Sequence, residues 1–420
     1  MEGLIFGTST LSRTLNKLSL LLNVILFAFF LDSLLSPYIF PSHWEYNLHF
    51  FRTAAVGPNE AKVHVRYPFP FGWEAYEKGS PSAATTQFGI DADSLPIYEE
   101  IDPAIIYNPE PLRVIYREVI PISTSPSSPI VLKETSRWER GPLLHLTPEA
   151  DWTTTVTLSD LWPSTEYEWT VAFTHNHTRP NHERVQRFMT FPDPRLSKAR
   201  SLRASELLGS TLPRSKEEDS NPLDDPNHFT FAVSSCVKPD FPWHPMQFGL
   251  WSWIAEFFRP DLARRNQIKG FDLMADRTID SRVRSTPGSF NGHPSIRFFL
   301  QLGDLIYADV PFWQGWLGDG PKVEHYRKLY RNLFASTSFR RLYEHVPVIG
   351  IYDDHEAKNN WSGGSKDAMI QAAIPPATQA WQEYIGLANP TNTVPEGKGE
   401  HWYTFRHGDS AFFVLAGRKH

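Results

Sequence analysis

Apolar residues recur along this chain with two different spacings, and the change between them divides it. Ala61, Val63, Val65 and Tyr67 alternate with Lys62, His64 and Arg66; Trp152, Thr154, Val156 and Leu158 make a second period-two face, and Tyr167, Trp169, Val171 and Phe173 a third. Alternation of this kind predicts strands with one buried face, so residues 44–191 read as a β domain. Further on the pattern becomes short continuous apolar runs: Phe229 to Val233, Phe298 to Leu302 and Pro347 to Tyr352. These predict buried strands. Val323, Tyr326, Tyr330 and Leu333 recur at helical spacing, with Lys322, Arg327, Lys328 and Arg331 mostly on the other faces. Ala411 to Leu415 is a last strand, entered through a hairpin turn at His407-Gly408-Asp409.

Two stretches break these patterns. After Arg13 and Lys17, the run Leu18 to Leu31 carries no charge, and a further apolar stretch interrupted by Pro37 follows Asp32. The charge-free part alone is shorter than the ~20 residues that span a bilayer core, and extending it past Asp32 reaches that length. Residues 1–43 are therefore expected to be a membrane anchor region. The reading is a single-pass signal anchor, its basic start cytosolic and the rest of the chain lumenal or extracellular. A cleaved signal peptide and a buried soluble helix are the alternatives. Residues 192–227 are rich in Ser, Pro and charge, as in Lys216-Glu217-Glu218-Asp219, and predict a mobile linker. Asn176-His177-Thr178 forms a glycosylation sequon, meaningful only in a lumenal or extracellular domain. Residues 262–292 mix charge and Gly and are expected to be a loop.

Composition narrows the class. The chain has 420 residues, enough for two domains with tails, and a mild net charge of −6 with no basic block. Nucleic-acid binding is not predicted. A single cysteine excludes a disulfide scaffold.

Chemistry gathers where the three continuous runs end. The first leads into Ser234-Ser235-Cys236, the second into Gly303-Asp304-Leu305-Ile306-Tyr307, and the third into Asp353-Asp354-His355-Glu356. Loops leaving the carboxyl ends of neighbouring strands converge on one crevice. Three such ends carrying a thiol, carboxylates, a phenol and an imidazole point to a metal centre. The structural alternatives are a packed Cys236, a packed Tyr307, an Asp353 that caps its turn and a Glu356 paired with Lys358.

The order of these strings resembles the PhoD-like alkaline phosphatase and phosphodiesterase family of the metallophosphoesterase group. The resemblance covers about residues 228 to 415 and is sharpest in Leu302 to Asp309 and in Tyr352 to Glu356 with Asn359-Asn360-Trp361. It implies a two-sheet sandwich flanked by helices, and a cluster of ferric iron and calcium that hydrolyses phosphate mono- or diesters with a metal-bound hydroxide. On that pattern Asp304 bridges metals, Cys236 and Tyr307 bind iron, Asp354 and Asn360 complete the retained metal ligands, and His355 lies beside the substrate as a proton donor or charge stabiliser. Arg327 and its basic neighbours could steer an anionic ester.

The string Leu161-Trp162-Pro163-Ser164-Thr165-Glu166-Tyr167 resembles the L-x-P-x-T-x-Y signature of fibronectin type III sandwiches, whose tyrosine bonds back to nearby backbone. The expected fold class is thus α+β: an N-terminal fibronectin type III or Ig-like β-sandwich at 44–191, then a PhoD-like metallophosphatase domain at 228–420. One departure stands out. The family continues past its last matching strand with an acidic residue, an arginine and a long segment bearing a GDxH-like motif, whereas here Ala416-Gly417-Arg418-Lys419-His420 follows. The C-terminal part of the domain is therefore expected to be missing. The alternative function is an inactive, membrane-anchored binding protein derived from a phosphatase.

Overall fold

A computed structural model describes residues 12–39, 48–68, 112–122, 131–133, 137–174, 185–193, 229–237, 268–283, 296–309, 321–362, 364–391, 402–415 and 417–419. Most of the expected linker at 192–227 and the Asn176 sequon lie outside these residues. The fold mixes helices with several sheets.

The alternating segments form two antiparallel sheets. β1 (Phe50–Val56), β2 (Ala61–Arg66) and β7 (Thr153–Leu158) pair in the order β1-β2-β7. The second sheet runs β6-β3-β8-β9, from β3 (Leu112–Glu118), β6 (Glu139–Leu143), β8 (Glu166–Phe173) and β9 (Gln186–Met189). A short hairpin joins β4 (Ile120–Ile122) to β5 (Val131–Lys133). Val63 and Val65 of the first sheet share one apolar cluster with Val114, Trp169 and Val171 of the second. Each such side chain is worth about 1.5–3 kcal/mol when fully buried. The Tyr167 hydroxyl accepts a hydrogen bond from the Trp162 amide at 2.9 Å, the local backbone tie expected of it.

The continuous runs form a parallel sheet, β10-β11-β12, from β10 (Thr230–Ser234), β11 (Ile296–Gln301) and β12 (Val348–Gly350). Helices supply the crossovers that parallel pairing requires. α2 (Lys269–Val283) lies between β10 and β11 in sequence; α3 (Val323–Phe334) and α4 (Thr337–Tyr343) lie between β11 and β12. Residues 269–283 are thus helical where a loop was expected, because Phe271 packs on Phe339 and Asp272 accepts from Arg341 of α4. α5 (Ala368–Tyr384) starts at Asp367, whose carboxylate caps the Met369 and Ile370 amides. Alternate residues of β11 point to different cores: Phe299 joins the helices, whereas Phe298 and Leu300 join the cluster of the antiparallel sheets. The second cluster also takes in Tyr403 and Val414 from the hairpin of β13 (Trp402–His407) and β14 (Ser410–Leu415), which turns at Gly408. β11 and β12 are buried in this sheet, which explains why they read as unbroken apolar runs, whereas β10, expected to be buried as well, pairs only with β11 among the described strands and leaves Phe231 and Val233 exposed.

Two expectations about charge are overturned. Arg327 and Arg331 of α3 are both buried, the first held by Glu383 at 2.6 Å and the second by Asp151 at 2.9 Å. They are therefore not placed to steer an ester from solution. His64 and Arg66, the polar side of the β2 alternation, are buried too, since this sheet packs against α3 and α5.

The membrane anchor is also overturned. No helix among the described residues is long and apolar enough to cross a membrane. α1 (Arg13–Ile39) has 27 residues, but Lys17 and Asp32 bracket its charge-free part. That part rises only about 21 Å at 1.5 Å per residue, against a hydrocarbon core of about 30 Å. The single-pass signal anchor, the membrane contact through it and the lumenal or extracellular placement built on it all fall with this helix.

Candidate metal centre

The three loops that leave β10, β11 and β12 meet edge to edge. The Leu302 amide donates to Ser234 O at 2.7 Å, the Val237 amide to Asp304 O at 2.8 Å, and the Ile351 amide to Gln301 O at 2.9 Å. These bonds carry the ladder beyond the strands and bring the ligand-bearing residues side by side. The backbone turns sharply there. Cys236, Asp304 and Asn360 all hold left-handed conformations, with φ of 58°, 54° and 58°. Non-glycine residues in this region cost about 1–3 kcal/mol each and cluster at functional sites. Gly303 has φ 84°, and a Cβ there would come within 2.3 Å of the Asp353 Cβ. Only glycine lets the second and third loops approach this closely.

Most of the residues expected at the site converge. The Cys236 Sγ lies 3.3 Å from Asp304 Oδ2, and the Tyr307 hydroxyl hydrogen-bonds with the same two side chains. Ligand atoms of Asp304, Asp354 and His355 lie within 4.8 Å of one another. The backbone N–H of Asn360 donates to Asp354 Oδ2, so the residue adjoins the cluster through its main chain while it is itself exposed. The His355 ring lies against the Tyr307 ring, centroids 4.2 Å apart and tilted by 31°, and its Nδ1 meets Asp309 Oδ1 at 2.8 Å.

Three residues at the site were assigned no role from the sequence. Asp309 holds His355 with one oxygen and accepts the Asn359 amide at 2.7 Å with the other. Arg418 donates to Asp353 Oδ1 at 2.7 Å and lies 3.6 Å from Asp354 Oδ2, so Asp353 faces a cation beyond its turn. Glu356 does not pair with Lys358. It is fully buried and accepts the Asp304, Leu305 and Asp353 amides, while Lys358 lies 3.6 Å from Asp367. Asp309 stands in the motif string itself, but only the folded loop reveals its histidine. Glu356 binds backbone, which has no sequence signature.

The electrostatics favour a cation. Burial pushes the Asp304 carboxyl up; the Cys236 hydrogen bond and His355 pull it down, and the Asp353 and Asp354 carboxylates push it up again. The Tyr307 phenol is likewise pushed up, by burial and then by the charge of Asp304. Burial pushes the Glu356 carboxyl up, against the downward pull of its three amides. Anions crowded in this way are relieved by a bound metal, often the largest charge in such a site. Carboxylates and a phenol suit hard cations, and a thiolate adds an anionic donor. The donor set therefore fits a metal ion.

Comparison with known proteins agrees with the motif strings. Residues 289–420 match the family model described as PhoD-like phosphatase, so this segment carries the resemblance read from the sequence; Asp304, Tyr307, Asp354, His355 and Asn360 lie inside it and Cys236 precedes it. Among solved structures, a structure of PhoD is similar over 91% of this chain and 53% of its own, with 15% identity and a TM-score of 0.46. A purple acid phosphatase from yellow lupin (Lupinus luteus) seeds is similar over 88% of this chain and 45% of its own, with 12% identity and a TM-score of 0.38. The chain thus spans about half the length of these two structures. No curated protein matches it.

Proposed function

We propose that this chain belongs to a metal-dependent phosphohydrolase that cleaves phosphate monoesters or diesters at the converging ends of β10, β11 and β12. The observation that carries the reading is the meeting of Cys236, Asp304, Tyr307, Asp354 and His355 from three separate strand ends, all but the first within the phosphatase-like segment. In this reading Asp304 would be the carboxylate shared between two cations. Cys236 and Tyr307 would hold ferric iron, and Asp354 with Asn360 would hold calcium. When bound, the cations supply Lewis-acid stabilisation of phosphoryl oxygens and lower the pKa of water.

The chain's own residues do the rest. Asp309 fixes the His355 ring through Nδ1, which leaves Nε2 as the atom that meets a substrate oxygen. From there His355 donates a proton to the departing oxygen or hydrogen-bonds to a phosphoryl oxygen. The Tyr307 ring beneath it blocks rotation and excludes water from one face. The two antiparallel sheets and the Tyr167 tie support an Ig-like or fibronectin-like module at 44–191, ahead of the hydrolase region at 228–420.

A second reading, a phosphatase-derived binding module without turnover, is favoured by one contact. Arg418 rests on Asp353 near Asp354 and would oppose a cation there. Hydrolysis of p-nitrophenyl phosphate and its bis ester, with iron and calcium added, separates the two. The hydrolase reading expects turnover that chelator abolishes and that Asp304→Ala lowers at least a hundredfold. A folded chain with no turnover under any metal supports the binding module.

A further inference from the structure

Glu356 is fully buried directly behind the site, yet nothing assigns it a part in the chemistry. Its Oε1 accepts the Leu305 amide at 2.7 Å, and its Oε2 accepts the Asp304 amide at 3.1 Å and the Asp353 amide at 2.8 Å. Two of these donors belong to the loop after β11 and the third to the loop after β12. One side chain therefore joins the backbones on which Asp304 and Asp354 are mounted. The donor at 304 belongs to a residue held in the left-handed region, and its neighbour Gly303 touches Asp353. A strained backbone persists only where its surroundings over-determine it, and three amide bonds to a buried acceptor supply that determination.

We propose that Glu356 is a positioning residue: an internal clip that fixes the separation of the Asp304 and Asp354 carboxylates and so sets the affinity of the site for cations. The proposal rests on the phosphohydrolase reading for its functional consequence, but the clip itself is a property of the chain without metal. Its chemistry is specific. An amide in place of the carboxylate turns one of the two acceptor oxygens into a donor, which then faces a backbone N–H instead of bonding it. The shorter Glu356→Asp keeps both acceptors but loses reach, so it restores part of the tie.

The test is hydrogen–deuterium exchange on metal-free wild type, Glu356→Gln and Glu356→Asp, read over peptides holding residues 303–306 and 352–354, with α5 as reference. Exchange at the two loop peptides is expected to rise at least tenfold in Glu356→Gln, less in Glu356→Asp, and not at all in α5. Manganese alone, titrated by electron paramagnetic resonance, is expected to bind about 10–100-fold more weakly to Glu356→Gln, the range typical of groups that orient ligands. Unchanged loop exchange overturns the clip, as does an equal rise along the whole chain, which would mark plain destabilisation. Where Gln at 356 prevents folding, Glu356→Asp against wild type decides by the same criteria. A wild type that takes up no manganese sinks the phosphohydrolase reading, and the exchange still decides the clip.

Discussion

Asp309 Oδ1 lies 2.8 Å from His355 Nδ1, and its other oxygen is committed to the Asn359 amide, so the carboxylate is itself fixed before it fixes the imidazole. Such a pair determines which ring nitrogen carries the proton and where the other one points. Replacing Asp309 by Asn leaves a group of the same size whose NH2 or O must now suit both partners. In the active protein kcat is expected to fall about 10–100-fold in Asp309→Asn with KM within a few-fold of wild type, since positioned acid–base groups contribute on that order. Steady-state kinetics on the aryl ester checks this, and an unchanged kcat would remove His355 from proton transfer. The sequence made His355 visible through its neighbours in the DDHE string. It did not reveal Asp309, because a carboxylate that meets a histidine from another loop leaves no local pattern.

The elements that carry the site are short strands whose loops depart from the ladder by single unusual residues. β11 delivers Asp304 through Gly303, and the space for a methyl group at Gly303 is already taken by the Asp353 Cβ. Gly303→Ala is expected to lower stability by about 2–4 kcal/mol, combining a clash with a left-handed backbone, and to reduce metal uptake in whatever remains folded. Chemical denaturation and a manganese titration measure the two effects. The strands themselves were legible in the sequence because continuous apolar runs have few other uses, and the loops were legible because their donors lie within a few residues of each strand end. The polar side of β2 was misread for a physical reason. Alternation says that two faces differ, but not that the second face is wet. Arg52 shows what the covering requires: it bonds the carbonyls of Val348 at 2.6 Å and Tyr384 at 3.0 Å, tying β1 to β12 and α5.

Across the molecule, the β-rich part and the helix-bearing part are fastened by buried charge. Asp151 accepts from Arg66 at 2.8 Å, Arg331 at 2.9 Å and the Tyr384 hydroxyl. Burial alone would raise its carboxyl, but the two guanidiniums outweigh that and hold it at about 2. Because the folded value lies below the ordinary 3.8, its contribution is complete above about pH 4 and is lost as pH falls from there through 2. Roughly 2 kcal/mol of acid-labile stability follows from a shift of that size. Asp151→Asn is expected to cost about 3–5 kcal/mol at neutral pH, since it strands two buried cations, and to flatten the acid limb of the stability curve. Urea denaturation between pH 2 and 7 tests both. None of this fastening could be read from the sequence, where a Ser-rich and Pro-rich stretch predicted a mobile linker between the domains; ion pairs between residues 180 positions apart, such as Asp151 with Arg331, have no one-dimensional trace.

The most direct test of a metal centre at these strand ends is elemental analysis of the purified chain beside Asp304→Ala. Iron and calcium bound in stoichiometric amount to the wild type and lost from a folded Asp304→Ala is the expected result. A folded wild type that carries neither metal and takes up neither on addition would contradict it.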